Sequence, residues 1–125
     1  MERADRPGFW QSVTGSQDGN ETLRQTAIRE LREETGLNAD DHELKDWETQ
    51  NVYEIYPMWR HRYAPGITRN TEHVFGLMLP LPVRITLAPR EHLRYEWLPI
   101  DAAAEKVFSW SNRDAILQLA KRMPP

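Results

Sequence analysis

The chain of 125 residues contains no cysteine. Disulfides, thiolate metal sites and cysteine nucleophiles are therefore excluded. A reducing compartment suits such a chain. Residues 1–7 hold no apolar signal-peptide core, so a cytoplasmic location is expected. No stretch approaches the ~18 apolar residues of a membrane-spanning helix, and no membrane partner is expected. Excess positive charge is missing too. Sixteen Lys and Arg face nineteen Asp and Glu, for a formal net charge of −3. That balance argues against gripping nucleic acid through its phosphate backbone. It leaves open a small phosphorylated substrate held through a metal. There are no repeats or low-complexity tracts, and the nine prolines are scattered as punctuation.

What is present suits one globular domain over residues 1–125. Hydrophobic residues make up 39% and charged residues 28%, with five Trp, four Tyr and three Phe. Such a chain can bury about two-thirds of its unfolded surface. Residues 9–14 are aromatic and β-branched and predict a strand. Residues 16–20 carry an Asp-Gly turn signal. Residues 21–35 predict a helix stopped by Gly36. Residues 38–44 read as a connection, and residues 45–59 as one long strand or two with a bulge. Residues 60–70 form a basic loop. Strands are expected at 71–79, 83–87 and 93–98, and a short helix at 102–108. A last helix is expected at 111–123, with Ser111 as its N-cap. This order suggests a mixed sheet flanked by helices.

The helix at 21–35 carries the chemical signal. At about 100° per residue, Glu30, Glu33 and Glu34 share an arc of roughly 100°. Ile28, Leu31 and Thr35 form a separate packing stripe. Clustered carboxylates repel by roughly 0.2–0.5 kcal/mol per exposed pair. Screening by Arg29 and Arg32, or a divalent cation, offsets that. Oxygen-only ligands favour Mg²⁺ or Mn²⁺ over zinc. A Glu- and Arg-rich face alone is more often just a solvated surface.

The wider pattern changes that balance. Gly15, five residues, Glu21, seven residues, then Arg29-Glu30-Leu31-Arg32-Glu33-Glu34-Thr35-Gly36-Leu37 satisfies every specified position of the Nudix box. The chain therefore resembles the Nudix hydrolases. The resemblance implies an α/β/α sandwich around a mixed central sheet. It also implies a Mg²⁺ cofactor (Mn²⁺ as a substitute) and pyrophosphohydrolase activity. By resemblance Glu30 and Glu34 are metal ligands, Glu33 is a ligand or base, and Arg29 orients the carboxylates. A further carboxylate from outside the box is expected at Glu91, with Glu72 as competitor.

Residues 9–16, 60–72 and 109–113 resemble the branch of the family that releases pyrophosphate from a pterin triphosphate in folate biosynthesis. That likeness implies a substrate site lined by Arg3, Thr14, Tyr53, Tyr56, Glu91 and Ser109. Tyrosines suit a flat ring, and an arginine suits phosphate. Arg60, Arg62 and Arg69 can hold the triphosphate, or belong to a solvated loop or a dimer contact. Alternatives are a nucleotide-cleaning enzyme for dATP or oxidised nucleotides, an RNA pyrophosphohydrolase, and a non-catalytic binding module. Finally, the family's strand order implies that the first N-terminal strand and most of the second are lacking. An N-terminally truncated domain is expected on that ground.

Overall fold

The computed structural model describes residues 1–122. Met123, the expected end of the last helix, lies outside the described residues. In chain order the elements are β1 (Glu2–Arg3), α1 (Leu23–Thr35), β2 (Glu43–Glu54), β3 (Arg69–Met78), β4 (His92–Arg94), α2 (Ile100–Lys106) and α3 (Trp110–Arg122). Two 3₁₀ turns, Ala39–Asp41 and Pro57–Arg62, precede and follow β2.

Helix α1 starts and stops where its end residues dictate. Thr22 accepts a hydrogen bond from the Gln25 amide, and Gln25 Oε1 accepts one from the Thr22 amide. This reciprocal cap satisfies two donors that the first turn would leave unpaired. Gly36 ends the helix at φ 76°, a left-handed conformation open to glycine at little cost.

β2 and β3 form an antiparallel ribbon, with Glu43 opposite Met78 and Glu54 opposite Arg69. The register breaks between Asp46 and Thr49, so the expected long strand carries a bulge. Asp46 Oδ1 accepts the Glu48 amide at 2.8 Å, and Glu48 sits at φ 54°. The Trp47 indole lies against Gly76, where any side chain would collide with it.

The second pair, β1 with β4, is short and antiparallel. Trp10 extends it through an antiparallel bridge to Glu2 and a parallel bridge to Val107, so both pairing senses occur. The expected strand at 9–14 is reduced to that bridge. The Gln11 amide goes to the Met1 carbonyl and the Ser12 amide to Asn112 Oδ1, and no strand runs alongside residues 13–17.

Other boundaries shift for local reasons. Residues 83–87 form no strand. They are held singly, by Thr86 N–H to the Thr35 carbonyl and by the Trp97 indole N–H to the Val83 carbonyl. The expected strand at 93–98 shrinks to His92–Arg94, and the short helix runs from 100 to 106. The loop at 60–70 opens in a 3₁₀ turn and closes inside β3. Ser109, not Ser111, caps α3: its Oγ accepts the Asn112 amide at 3.1 Å. The buried apolar side chains among the described residues are Trp10, Leu31, Ala39, Ile55 and Ala104.

Candidate functional site

Arg29 is the hub of the acidic helix face. Its Nε and a terminal nitrogen reach both oxygens of Glu21, at 2.7 and 3.0 Å. The other terminal nitrogen donates to Glu30 Oε1 at 2.7 Å and Glu33 Oε2 at 3.2 Å. A further bond to the Ser16 carbonyl ties in the preceding loop. One planar fork thus orients three carboxylates, which a point-charge lysine would not do. Its contacts hold the Glu21 carboxyl down at about 2. Gly15 backs the cluster, because a Cβ there would collide with the Glu30 carboxyl.

The three glutamates differ in environment. Glu33 is exposed and Glu30 half-buried, while Glu34 is only 2% exposed. The arc therefore runs from solvent into the interior. Burial, reinforced by the nearby Glu30 and Glu91 carboxylates, pushes the Glu34 carboxyl far above its usual range. Its Oε2 is buried with no hydrogen-bond partner.

The β1–β4 pair delivers Glu91 and His92 to this carboxyl. Arg3 pairs with His92, and the Ala4 amide donates to the Glu91 carbonyl. One ligand atom each from Glu34, Glu91 and His92 lie within 4.8 Å of one another. Glu91, the carboxylate expected from outside the helix, thus lies beside Glu34. Glu72 instead meets Ser111 Oγ at 3.4 Å. Glu30 stands outside this trio, engaged by Arg29.

His92 escaped the sequence reading, since a lone histidine after a loop carries no spacing signal. It is 3% exposed, with Nε2 at 3.6 Å from Glu34 Oε1 and 3.2 Å from Gln11 Nε2. Burial lowers its pKa from the ordinary imidazole value.

An aromatic wall lies beside the carboxylates. Tyr56 stacks on Trp59 at 5.6 Å with an interplanar angle of 17°. Phe108 packs edge-on against Tyr56. Tyr53 is half-buried, and its hydroxyl accepts from Asn70 at 3.2 Å. Arg3, Thr14, Tyr53, Tyr56, Glu91 and Ser109 all border the cavity that Glu30 and Glu34 border.

The arginines are less free than expected. Arg3 forks onto Asp5 at 2.7 Å on both sides and lies 4.2 Å over the Trp59 ring. Arg62 also reaches Asp5, and Arg60 and Arg69 pair with Glu54. The loop charge is largely neutralised locally.

The family model for the NUDIX domain matches residues 1–119. The chain belongs to the Nudix family. Its members are hydrolases of phosphorus-containing anhydrides, and the Arg29-centred helix is the Nudix box in three dimensions. This Nudix chain is 48% identical over 120 residues to the dihydroneopterin triphosphate diphosphatase of Escherichia coli K12, covering 94% of the chain and 79% of that relative. The enzyme of that name from Haemophilus influenzae is 38% identical over 118 residues, covering 93% and 73%. The solved E. coli dihydroneopterin triphosphate pyrophosphohydrolase superposes with a TM-score of 0.91 at 47% identity, covering 98% of this chain and 84% of that one. A Listeria monocytogenes NUDIX hydrolase, at 23% identity and a TM-score of 0.79, shares the fold over 98% of this chain and 80% of its own. No helix among the described residues is long and apolar enough to cross a membrane.

Proposed function

We propose that this Nudix protein hydrolyses dihydroneopterin triphosphate to dihydroneopterin monophosphate and pyrophosphate in folate biosynthesis. The observation that carries the reading is the buried Glu34 carboxyl, with an orphaned oxygen, set between Glu91 and the Arg29-oriented glutamates on a cavity that also has an aromatic wall. Two relatives bearing the corresponding name support the substrate assignment.

The donor set fits a hard divalent cation. Glu34 and Glu91 supply oxygens, Glu30 borders the same cavity, and an unpaired buried oxygen is costly without a partner. Mg²⁺ is the cofactor of this reading, with Mn²⁺ able to replace it. When bound, the cation neutralises charge on the phosphate oxygens and makes water a better nucleophile.

The chain's own residues do the rest. Arg29 holds Glu30 and Glu33 in register. In this reading Glu33, exposed at the rim, serves as a further metal ligand or as the base that takes the proton from the attacking water. Tyr56 and Trp59 offer a flat apolar surface to the pterin ring. Arg3, already neutralised by Asp5, positions Trp59 and Gln11 more than it binds phosphate. Thr14 and Ser109 complete the rim.

The test is pyrophosphate release from dihydroneopterin triphosphate and from dATP, with and without Mg²⁺. The reading expects Mg²⁺ dependence and a higher kcat/KM for the pterin. A higher value for dATP would reassign the substrate to nucleotides, and turnover in EDTA would remove the metal roles.

A further inference from the structure

Six acidic residues border the cavity: Asp5, Glu30, Glu34, Glu72, Glu91 and Glu96. Five of them have a partner or a proposed role. Asp5 pairs with Arg3, Glu30 with Arg29 and Glu96 with Lys106. Glu34 and Glu91 belong to the proposed metal cluster. Glu72 has no ion pair among the described residues and no place in that cluster. Its carboxylate receives a long hydrogen bond from Ser111 Oγ, at 3.4 Å. Asn51 stands directly opposite it in the β2–β3 register, and the Asn51 Nδ2 is buried without a hydrogen-bond partner. Burial pushes the Glu72 carboxyl above its ordinary value, although Ser111 and Asn51 draw it down. Glu72 is thus a half-buried acceptor that the chain leaves short of donors.

Its surroundings narrow what supplies those donors. Asn51 opposes Glu72 and Tyr53 opposes Asn70, so these four side chains lie on one face of the ribbon. On that face the Asn70 amide donates to the Tyr53 hydroxyl at 3.2 Å. Ser111 Oγ lies 3.5 Å from Ser109 Oγ. Tyr53, Asn70, Ser109 and Ser111 border the cavity together with Glu72. Glu72 therefore keeps company with side chains proposed for the substrate rim, apart from the Arg29-centred glutamates.

An ionised carboxylate accepts hydrogen bonds and donates none. It matches a flat ring edge that carries two adjacent N–H donors, in the fork geometry by which a carboxylate meets a guanidinium. A pterin has such an edge, at its N3–H and 2-amino group. Guanine has one at N1–H and its 2-amino group. Hypoxanthine keeps the ring N–H and lacks the amino group. Adenine sets an amino donor beside a bare ring nitrogen, whose lone pair would face the carboxylate. We infer that Glu72 is a specificity residue, whose carboxylate accepts both N–H groups of the 2-amino-4-oxo edge of the substrate ring beside Tyr53 and Ser109. The inference rests on the pterin reading of the site and names the side chain that selects the ring. Ser111 and Asn51 then hold the carboxylate in place from the protein side.

The test measures kcat/KM with Mg²⁺ for dihydroneopterin triphosphate, dGTP, dITP and dATP, in the wild type and in Glu72→Gln. Ratios between substrates are taken within each protein, so a loss of folded enzyme cancels. In the wild type dGTP should exceed dITP by about tenfold, the usual effect of one hydrogen bond to a charged acceptor. In Glu72→Gln one acceptor becomes a donor, which suits adenine and opposes the donor pair. The ratio of pterin to dATP should fall by about a hundredfold, and the preference for dGTP over dITP should vanish. Equal wild-type values for dGTP and dITP would overturn the inference, and that comparison needs no variant. A Glu72→Gln enzyme slowed by one common factor on all four substrates would also overturn it, because a structural role or a metal-ligand role acts regardless of the base. A wild type that prefers dATP to the pterin would sink the substrate reading instead, and Glu72 would still be judged on dGTP against dITP.

Discussion

Glu34 concentrates the competing forces at this site. Its carboxyl is buried, faces two other carboxylates and leaves one oxygen unpartnered. A neutral amide of the same shape relieves that repulsion and removes the proposed metal ligand. Glu34→Gln should therefore raise Tm in EDTA at pH 8 while cutting pyrophosphate release by about a hundredfold or more. A variant keeping full rate would exclude Glu34 as a ligand. Gly15→Ala tests a different contact. The added methyl displaces Glu30 without altering charge. Divalent-cation affinity, measured by calorimetry or Mn²⁺ EPR, should fall about tenfold, the low end of what disturbed supporting residues cost.

At the level of elements, the helix ends make separable predictions. Thr22→Ala removes the cap that accepts the Gln25 amide and should cost about 0.5–2 kcal/mol in denaturant unfolding. Ser109→Ala should cost a similar amount, because Ser109 holds the Asn112 amide at the start of α3. Its effect on KM decides whether the hydroxyl also meets substrate. A stability loss with unchanged KM assigns Ser109 to the cap alone. Helix α1 was legible in sequence because periodicity, capping and stop signals are all local. Residues 9–14 and 83–87 have strand-like side chains but no ladder. Strand formation needs a neighbour, and composition does not supply one.

For the whole molecule, pH sets two opposing slopes. Glu34 has a folded pKa above its unfolded value of 4.5. In metal-free protein its contribution is full below that value and is lost as pH rises toward about 9. Glu21 and Asp5, held at about 2 by Arg29 and Arg3, contribute above the ordinary carboxylate range and lose that as pH falls. Tm in EDTA should therefore decline on both sides of a maximum near weakly acidic pH. A divalent cation, which binds the ionised carboxylate, should restore the alkaline limb. Glu34→Gln should flatten that limb without metal. A metal-free Tm that rises steadily from pH 5 to 9 would contradict the assigned burial.

The sequence by itself determined the Nudix box and the Arg29-centred helix, and it singled out Glu91 as a candidate carboxylate from outside them. Those features rest on fixed spacing along one helix and on a turn beside a short strand. Tertiary structure alone decided that Glu34 is interior while Glu33 stays in solvent, since both occupy the same helical arc. It brought His92 beside Glu34, and Gln11 beside His92, from positions far apart in the chain. It also paired Arg62 with Asp5 and Arg69 with Glu54, acids that sequence distance conceals. Long-range packing set these outcomes, because burial and charge pairing depend on which elements come to lie together.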